Sequence, residues 1–167
     1  MEIIKDRHID NTMLSEIRQL IESTRSKVAM AVNSAMTMMY WHIGDRINRE
    51  LLGGGRAAYG KQIVASLSRE LTEQYGGREF SERNLWRMMQ FSSKFPDLQI
   101  VTPLVSQLSW SHFLQVMPIE DDLARNFYLT MAADQRWSKR TLKAKIDGML
   151  YERTAIAKQP EEVVLRD

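Results

Sequence analysis

The sequence predicts a mainly α-helical protein built around a helix–turn–helix, with a winged-helix-like arrangement, a long N-terminal helix and further helices at the C-terminal end. Three observations lead there. Apolar residues recur with a 3.6-residue period over most of the chain. Paired or tripled glycines close the first two periodic segments, at Gly53-Gly54-Gly55 and Gly76-Gly77. Ser81 and Ser138 sit immediately ahead of later ones, where a hydroxyl can accept the first free backbone N–H groups.

The first helix is expected over residues 12–52. Its apolar stripe runs Val28, Val32, Ala35, Met36, Met39, Tyr40, Ile43, Ile47 and Leu51, and an upstream stripe holds Leu14, Ile17, Leu20 and Ile21. A continuous helix of that span is about 60 Å long at 1.5 Å per residue. That exceeds what a compact domain needs, so the helix either bends near Ser23-Thr24 or projects and pairs with another subunit. The eleven methionines, at helical spacing, read as core filler.

The helix–turn–helix covers residues 59–95. Ile63, Val64, Leu67 and Leu71 mark one face of its first helix; Ser81 opens the second, which runs to about Phe95 and stops before Pro96. Between Asp97 and Leu108 the period is lost around Thr102-Pro103, and the segment reads as a small β-hairpin or an irregular loop. A hairpin there would serve as the wing. Helices resume over 109–158: one restarted by Ser109 or Ser111 and ending at Met117-Pro118, one from about Ile119 to Gln135 with Glu120, Asp121 and Asp122 in its first turn, and a last one carrying Leu142, Ile146, Met149 and Leu150 on one face. These elements form one domain, residues 1–158, and residues 159–167 read as a tail or linker.

The chain of 167 residues is 44% hydrophobic and 26% charged, long enough for a real core. It has no cysteine, so a disulfide framework, a thiolate zinc site and a cysteine nucleophile are all excluded. His8, His42 and His112 are scattered, with no second ligand at a metal spacing, and no metal or cofactor is expected. The charged N-terminus is not a secretory signal, and Val28 to Ile43 is too short and too polar to span a bilayer, so a cytoplasmic protein is expected.

The net charge of +2 is a cancellation. Residues 1–24 and 119–135 are net acidic. Residues 49–94 are net basic, and residues 136–158 carry Arg136, Lys139, Arg140, Lys143, Lys145, Arg153 and Lys158 against Asp147 and Glu152. In the helix after Ser81, Leu85, Met88, Met89 and Ser92 share one face, which must be the buried one. The opposite face is Arg83, Arg87, Gln90 and Lys94, at i, i+4, i+7 and i+11, with Asn84 and Trp86 on the flanks. Arginine forks onto guanine, glutamine pairs with adenine and lysine holds phosphate. The candidate nucleic-acid-binding residues are therefore Arg83, Asn84, Arg87, Gln90 and Lys94, with Lys139, Arg140, Lys143 and Lys145 as phosphate contacts. A solvated outer face is the competing explanation for each basic stripe.

No catalytic residue is expected. No Asp or Glu is followed two residues later by lysine, as a PD-(D/E)XK metal site requires. The glycine clusters lack the Gly-Lys-Ser/Thr ending of a phosphate loop. In Ser109-Trp110-Ser111-His112, adjacent helical residues point apart and make no nucleophile–base pair. Glu120-Asp121-Asp122 suits helix capping better than metal binding.

Several stretches carry a family resemblance. They are Ala31-Val32-Asn33-Ser34-Ala35 through Tyr40-Trp41-His42-Ile43-Gly44, then Tyr59-Gly60-Lys61-Gln62-Ile63-Val64 with Leu67-Ser68, then Phe80-Ser81-Glu82-Arg83-Asn84-Leu85 with Met88 and Phe91. Gln107 to His112, Arg136-Trp137-Ser138 with Arg140 and Leu142, and Leu150 to Thr154 complete the set. Together and in this order they resemble the N-terminal domain of the YhcG-like PD-(D/E)XK nuclease family. The resemblance implies a DNA-binding helix–turn–helix domain, double-stranded DNA as ligand and a nuclease-fold domain after it; a full-length parent would be a Mg-dependent nuclease, while this chain would not itself be an enzyme. Among the matched positions Leu85 reads as core and Glu82 as a capping residue. Two readings follow: a DNA-binding, non-catalytic module, dimeric through the long first helix, or a helical protein-interaction or dimerisation module without direct DNA contact.

Overall fold

A computed structural model of the chain describes residues 10–52 and 57–157. The expected helix end at Gly53-Gly54-Gly55 and the expected linker over 159–167 lie outside the described residues.

Helix α1 spans Asn11–Leu52 without interruption, Ser23-Thr24 included. At 42 residues it is about 63 Å long. Its C-terminal part buries Thr37, Tyr40, Trp41, Gly44 and Ile47, which fall on one face of the helix. Its N-terminal part, residues 11–33, buries nothing. Helix α2 (Ala57–Tyr75) lays Val64 against the same cluster. Gly76 and Gly77 then turn the chain with φ of 74° and 66°, which glycine adopts without a Cβ clash.

Helix α3 (Glu82–Lys94) begins as expected: the Ser81 hydroxyl accepts from the Asn84 N–H at 3.2 Å. Its inward face is Leu85, Met88, Met89 and Ser92, all buried, as the spacing required. It lies hard against α1. A Cβ on Gly44 would sit 1.9 Å from the Met88 carbonyl oxygen, so this crossing tolerates only glycine. Two hydrogen bonds lock the pair: Trp41 Nε1 donates to the Phe95 carbonyl, and Asn48 Nδ2 to the Met89 carbonyl, both at 2.8 Å.

The segment after α3 corrects the hairpin expectation. Residues Leu98–Val105 form helix α4, and no strand occurs among the described residues, so there is no β-wing in them. Asp97 caps α4 by accepting from the Gln99 N–H at 2.9 Å. Val101 and Val105 are buried and Leu98 packs beside them, a helical spacing. Pro103 removes one intrahelical bond, a cost these contacts outweigh.

Helix α5 (Trp110–Val116) follows Ser109, and α6 (Asp122–Asp134) follows Asp121, which accepts from the Leu123 N–H at 3.0 Å. Arg136, left-handed at φ 54°, ends α6, and the Trp137 N–H reaches back to the Ala132 carbonyl at 2.9 Å. Ser138 caps α7 (Lys139–Asp147). The final helix is shorter than expected. Gly148 and a left-handed Met149 break it before α8 (150–157), which leaves Met149 exposed rather than on the inner face with Leu142 and Ile146.

Two apolar clusters form. One gathers Phe91, Phe95, Val101, Phe113, Tyr128, Leu129 and Leu142; the other gathers Tyr40, Ile47, Val64, Phe80, Leu85 and Met88. Helix α3 contributes to both, and Trp110 packs against both, with Tyr40 and Phe91 ring centroids at 5.0 and 5.2 Å. The methionines divide: Met88, Met89 and Met117 are core, whereas Met13, Met30 and Met149 are exposed.

Candidate nucleic-acid interface

The helical period that buries Leu85, Met88 and Met89 must turn Arg83, Trp86, Arg87 and Gln90 away from the core. Arg83 and Gln90 are exposed and Arg87 is half-buried. Trp86, an indole 41% exposed, stands between the arginines. With Ser93 and with Asn48 from α1, these side chains line one open groove. Asn48 also grips the Ser92 hydroxyl at 2.8 Å, so the groove is fixed to the α1–α3 crossing.

Each of the other expected residues has a definite place. Asn84 does not reach outward: its amide donates to the Arg78 and Glu79 carbonyls at 3.1 and 3.2 Å and so ties down the turn, while its oxygen accepts from Arg87 Nη1 at 3.3 Å. Lys94 is half-buried and its ammonium donates to the Met117 carbonyl. Lys139, Arg140, Lys143 and Lys145 are all exposed on α7. Lys143 pairs with Asp147 at 3.4 Å, and Lys145 stands over the Trp137 ring at 5.5 Å. Arg83, Lys139 and Arg140 make no ion pair among the described residues. Helix α5 links the two basic helices: Met117 at its C-cap receives Lys94, and its Gln115 donates to the Lys139 carbonyl at 3.0 Å.

Spacing within α3 locates Arg83, Arg87 and Gln90 but leaves Trp86 as a flank and misses Asn48 and Ser93. Asn48 is 41 residues from Met89, and only the tertiary crossing unites them.

Other polar side chains bond within the fold. Arg125 is 3% exposed; its guanidinium donates to the Ile119 carbonyl at 2.7 Å and to the Lys94 carbonyl at 3.5 Å, pairs with Asp122 and lies over the Phe95 ring. His112 corrects the expectation that serine and histidine point apart in this segment: its Nδ1 accepts both the Ser109 N–H at 3.1 Å and the Ser109 hydroxyl at 2.8 Å across the first turn of α5, while Nε2 donates to the Trp137 carbonyl at 2.8 Å. Tyr40 donates to Glu79 at 2.6 Å, and Tyr128 to Glu152 at 2.9 Å. Burial and then these carboxylates hold both phenols above the usual tyrosine range. No group of three or more His, Asp or Glu able to hold a metal occurs among the described residues, and no described helix is long and apolar enough to cross a membrane.

Residues 16–153 match the family described as the DUF1016 N-terminal domain. The chain is also 30% identical, over 84% of its length, to the Escherichia coli (strain K12) protein described as "Putative nuclease YhcG". It spans 45% of that relative's length. No solved structure matches it. The match over nearly all of the described helices, together with this relative, places the chain in the DUF1016 N-terminal domain family, as a YhcG-like member.

Proposed function

We propose that this chain is the DNA-binding, non-catalytic module of a nuclease-type protein, and that α2, the Gly76-Gly77 turn and α3 act as a helix–turn–helix without a β-wing. The observation that carries the reading is the outer line of α3. Exposed Arg83 and Gln90 and half-buried Arg87 line one groove with an exposed Trp86, on a helix whose other side is locked to α1. A rigid helix presenting cations and an amide is what major-groove docking requires. Arg83, Arg87 and Gln90 meet the duplex, Asn84 orients Arg87, and Lys94 contributes a phosphate contact near the end of α3. Lys139, Arg140, Lys143 and Lys145 add phosphate contacts from α7. Residues 1–158 work as one module, 159–167 lead to a PD-(D/E)XK nuclease domain of the parent protein, and the protein acts in the cytoplasm.

The experiment is fluorescence anisotropy on a labelled duplex at fixed salt. The Arg83→Ala/Arg87→Ala variant should bind at least about tenfold more weakly, since taking one arginine away from a phosphate or a base edge costs roughly 1 kcal/mol or more. Equal affinity of variant and parent would remove α3 from the interface.

A second reading has its own observation. The free N-terminal part of α1 exposes Ile17, Leu20, Ile21 and Val28, the pattern of a helical interaction surface, and supports a homodimer through this helix. The two roles are compatible.

A further inference from the structure

Residues 11–33 of α1 bury no side chain, yet Ile17, Ile21 and Val28 are 45%, 44% and 57% exposed. A lone helix of about 20 residues is marginal in water, and this one contains serines, threonines and β-branched residues. Something must cover it. Leu14, Ile17, Ile21, Thr24, Val28 and Ala31 alternate at spacings of three and four, a heptad seam.

We infer that this seam pairs antiparallel with the same seam of a second copy of the chain, centred between Glu22 and Ser23. This deepens the homodimer reading above and does not depend on DNA contact. Two features select a second copy and fix its direction. The first is charge. Residues 10–22 carry Asp10, Glu16 and Glu22 against Arg18, while residues 23–31 carry Arg25 and Lys27 and no acid. An antiparallel pair lays the acidic half of each helix on the basic half of the other; a parallel pair lays like on like. Arg18 and Arg25 share one edge of the seam, so Arg18 of one copy lies beside Arg25 of the other, and Glu22, between them on each helix, offsets that like-charge contact. The second feature is size. Antiparallel layers match Leu14 with Ala31, Ile17 with Val28 and Ile21 with Thr24, a larger side chain facing a smaller one each time, which keeps the interaxial distance even. Parallel layers would stack large on large at one end and small on small at the other.

The absence of cysteine makes the test clean. Light scattering should give twice the chain mass. Ile17→Glu/Ile21→Glu should give a monomer with unchanged near-ultraviolet dichroism, because neither residue touches the core clusters. In the antiparallel pair the two copies of residue 14 are about 25 Å apart at 1.5 Å per residue, far beyond the roughly 7 Å limit for a disulfide. Under mild oxidation Leu14→Cys alone and Ala31→Cys alone should therefore stay uncrosslinked, while their mixture should give a covalent heterodimer. Crosslinking of Leu14→Cys to itself would mean a parallel pair and overturn the direction while leaving a dimer. A monomeric parent chain, or a dimer that survives Ile17→Glu/Ile21→Glu, would overturn the pairing itself and assign the stripe to another partner.

Discussion

Gly44→Ala should strike the joint on which the candidate interface depends. The new methyl carbon would lie 1.9 Å from the Met88 carbonyl oxygen, 2.3 Å from its carbon and 2.8 Å from the Met89 nitrogen. All three are backbone atoms, so no side chain can swing aside. To restore ordinary contact near 3.4 Å, α3 must retreat by about 1.5 Å. That retreat stretches the 2.8 Å bonds from Asn48 to the Met89 carbonyl and from Trp41 to the Phe95 carbonyl beyond useful range. Each bond contributes about 1 kcal/mol net, and the buried indole N–H left unpaired adds to the loss. Overpacking costs roughly 1–3 kcal/mol, and better helix propensity returns about 1 kcal/mol. The net loss is about 2–5 kcal/mol, a fall in Tm of roughly 5–15 °C for a chain of this size. Thermal dichroism reads it directly. Gly60→Ala is the control: among the described residues its Cβ would meet only Leu51 side-chain carbons, at 3.4 Å or more, so its Tm should hold or rise slightly. A Gly44→Ala protein as stable as the parent would refute the close crossing of α1 and α3.

Two further outcomes follow from the buried polar groups. Arg125→Met removes the donors to the Ile119 and Lys94 carbonyls and should cost about 1–3 kcal/mol in urea unfolding; an unchanged midpoint would show that Arg125 does not tie α6 to the end of α3. Tyr40 and Tyr128 hold their protons more tightly in the fold than in the unfolded chain, where a phenol titrates near pH 10. Their contribution is thus constant below about pH 10 and declines above it, as the unfolded chain releases protons the fold retains. Urea midpoints from pH 8 to 11 should fall in that window, and less steeply for Tyr40→Phe/Tyr128→Phe; parallel curves for the two proteins would contradict this.

Much of α3 is legible in the sequence because a single amphipathic period settles both of its faces, and Ser81 marks its start. The length of α1 is legible for the same reason. The segment after Asp97 is deceptive because Thr102-Pro103 among β-branched residues looks like a break, although Leu98, Val101 and Val105 carry a helical spacing and Asp97 a capping signal. The break at Gly148-Met149 has no signature beyond the glycine, since methionine rarely adopts a left-handed conformation. Gly44, inside a strong helical pattern, is the available hint of a close crossing. The burial of Arg125 and the joining of Asn48 to the α3 groove depend on carbonyls brought from distant segments, and local spacing holds no trace of them.

The most direct test of the central claim is the salt dependence of duplex DNA binding. Each cation that neutralises a phosphate contributes about 0.9 to the slope of log K against log salt. If Arg83 and Arg87 both contact the DNA backbone, Arg83→Ala/Arg87→Ala should flatten that slope by roughly 1.8 and lower the affinity at every salt concentration. An unchanged slope and affinity, in a variant whose dichroism matches the parent, would contradict the account and leave α3 as an ordinary solvated helix.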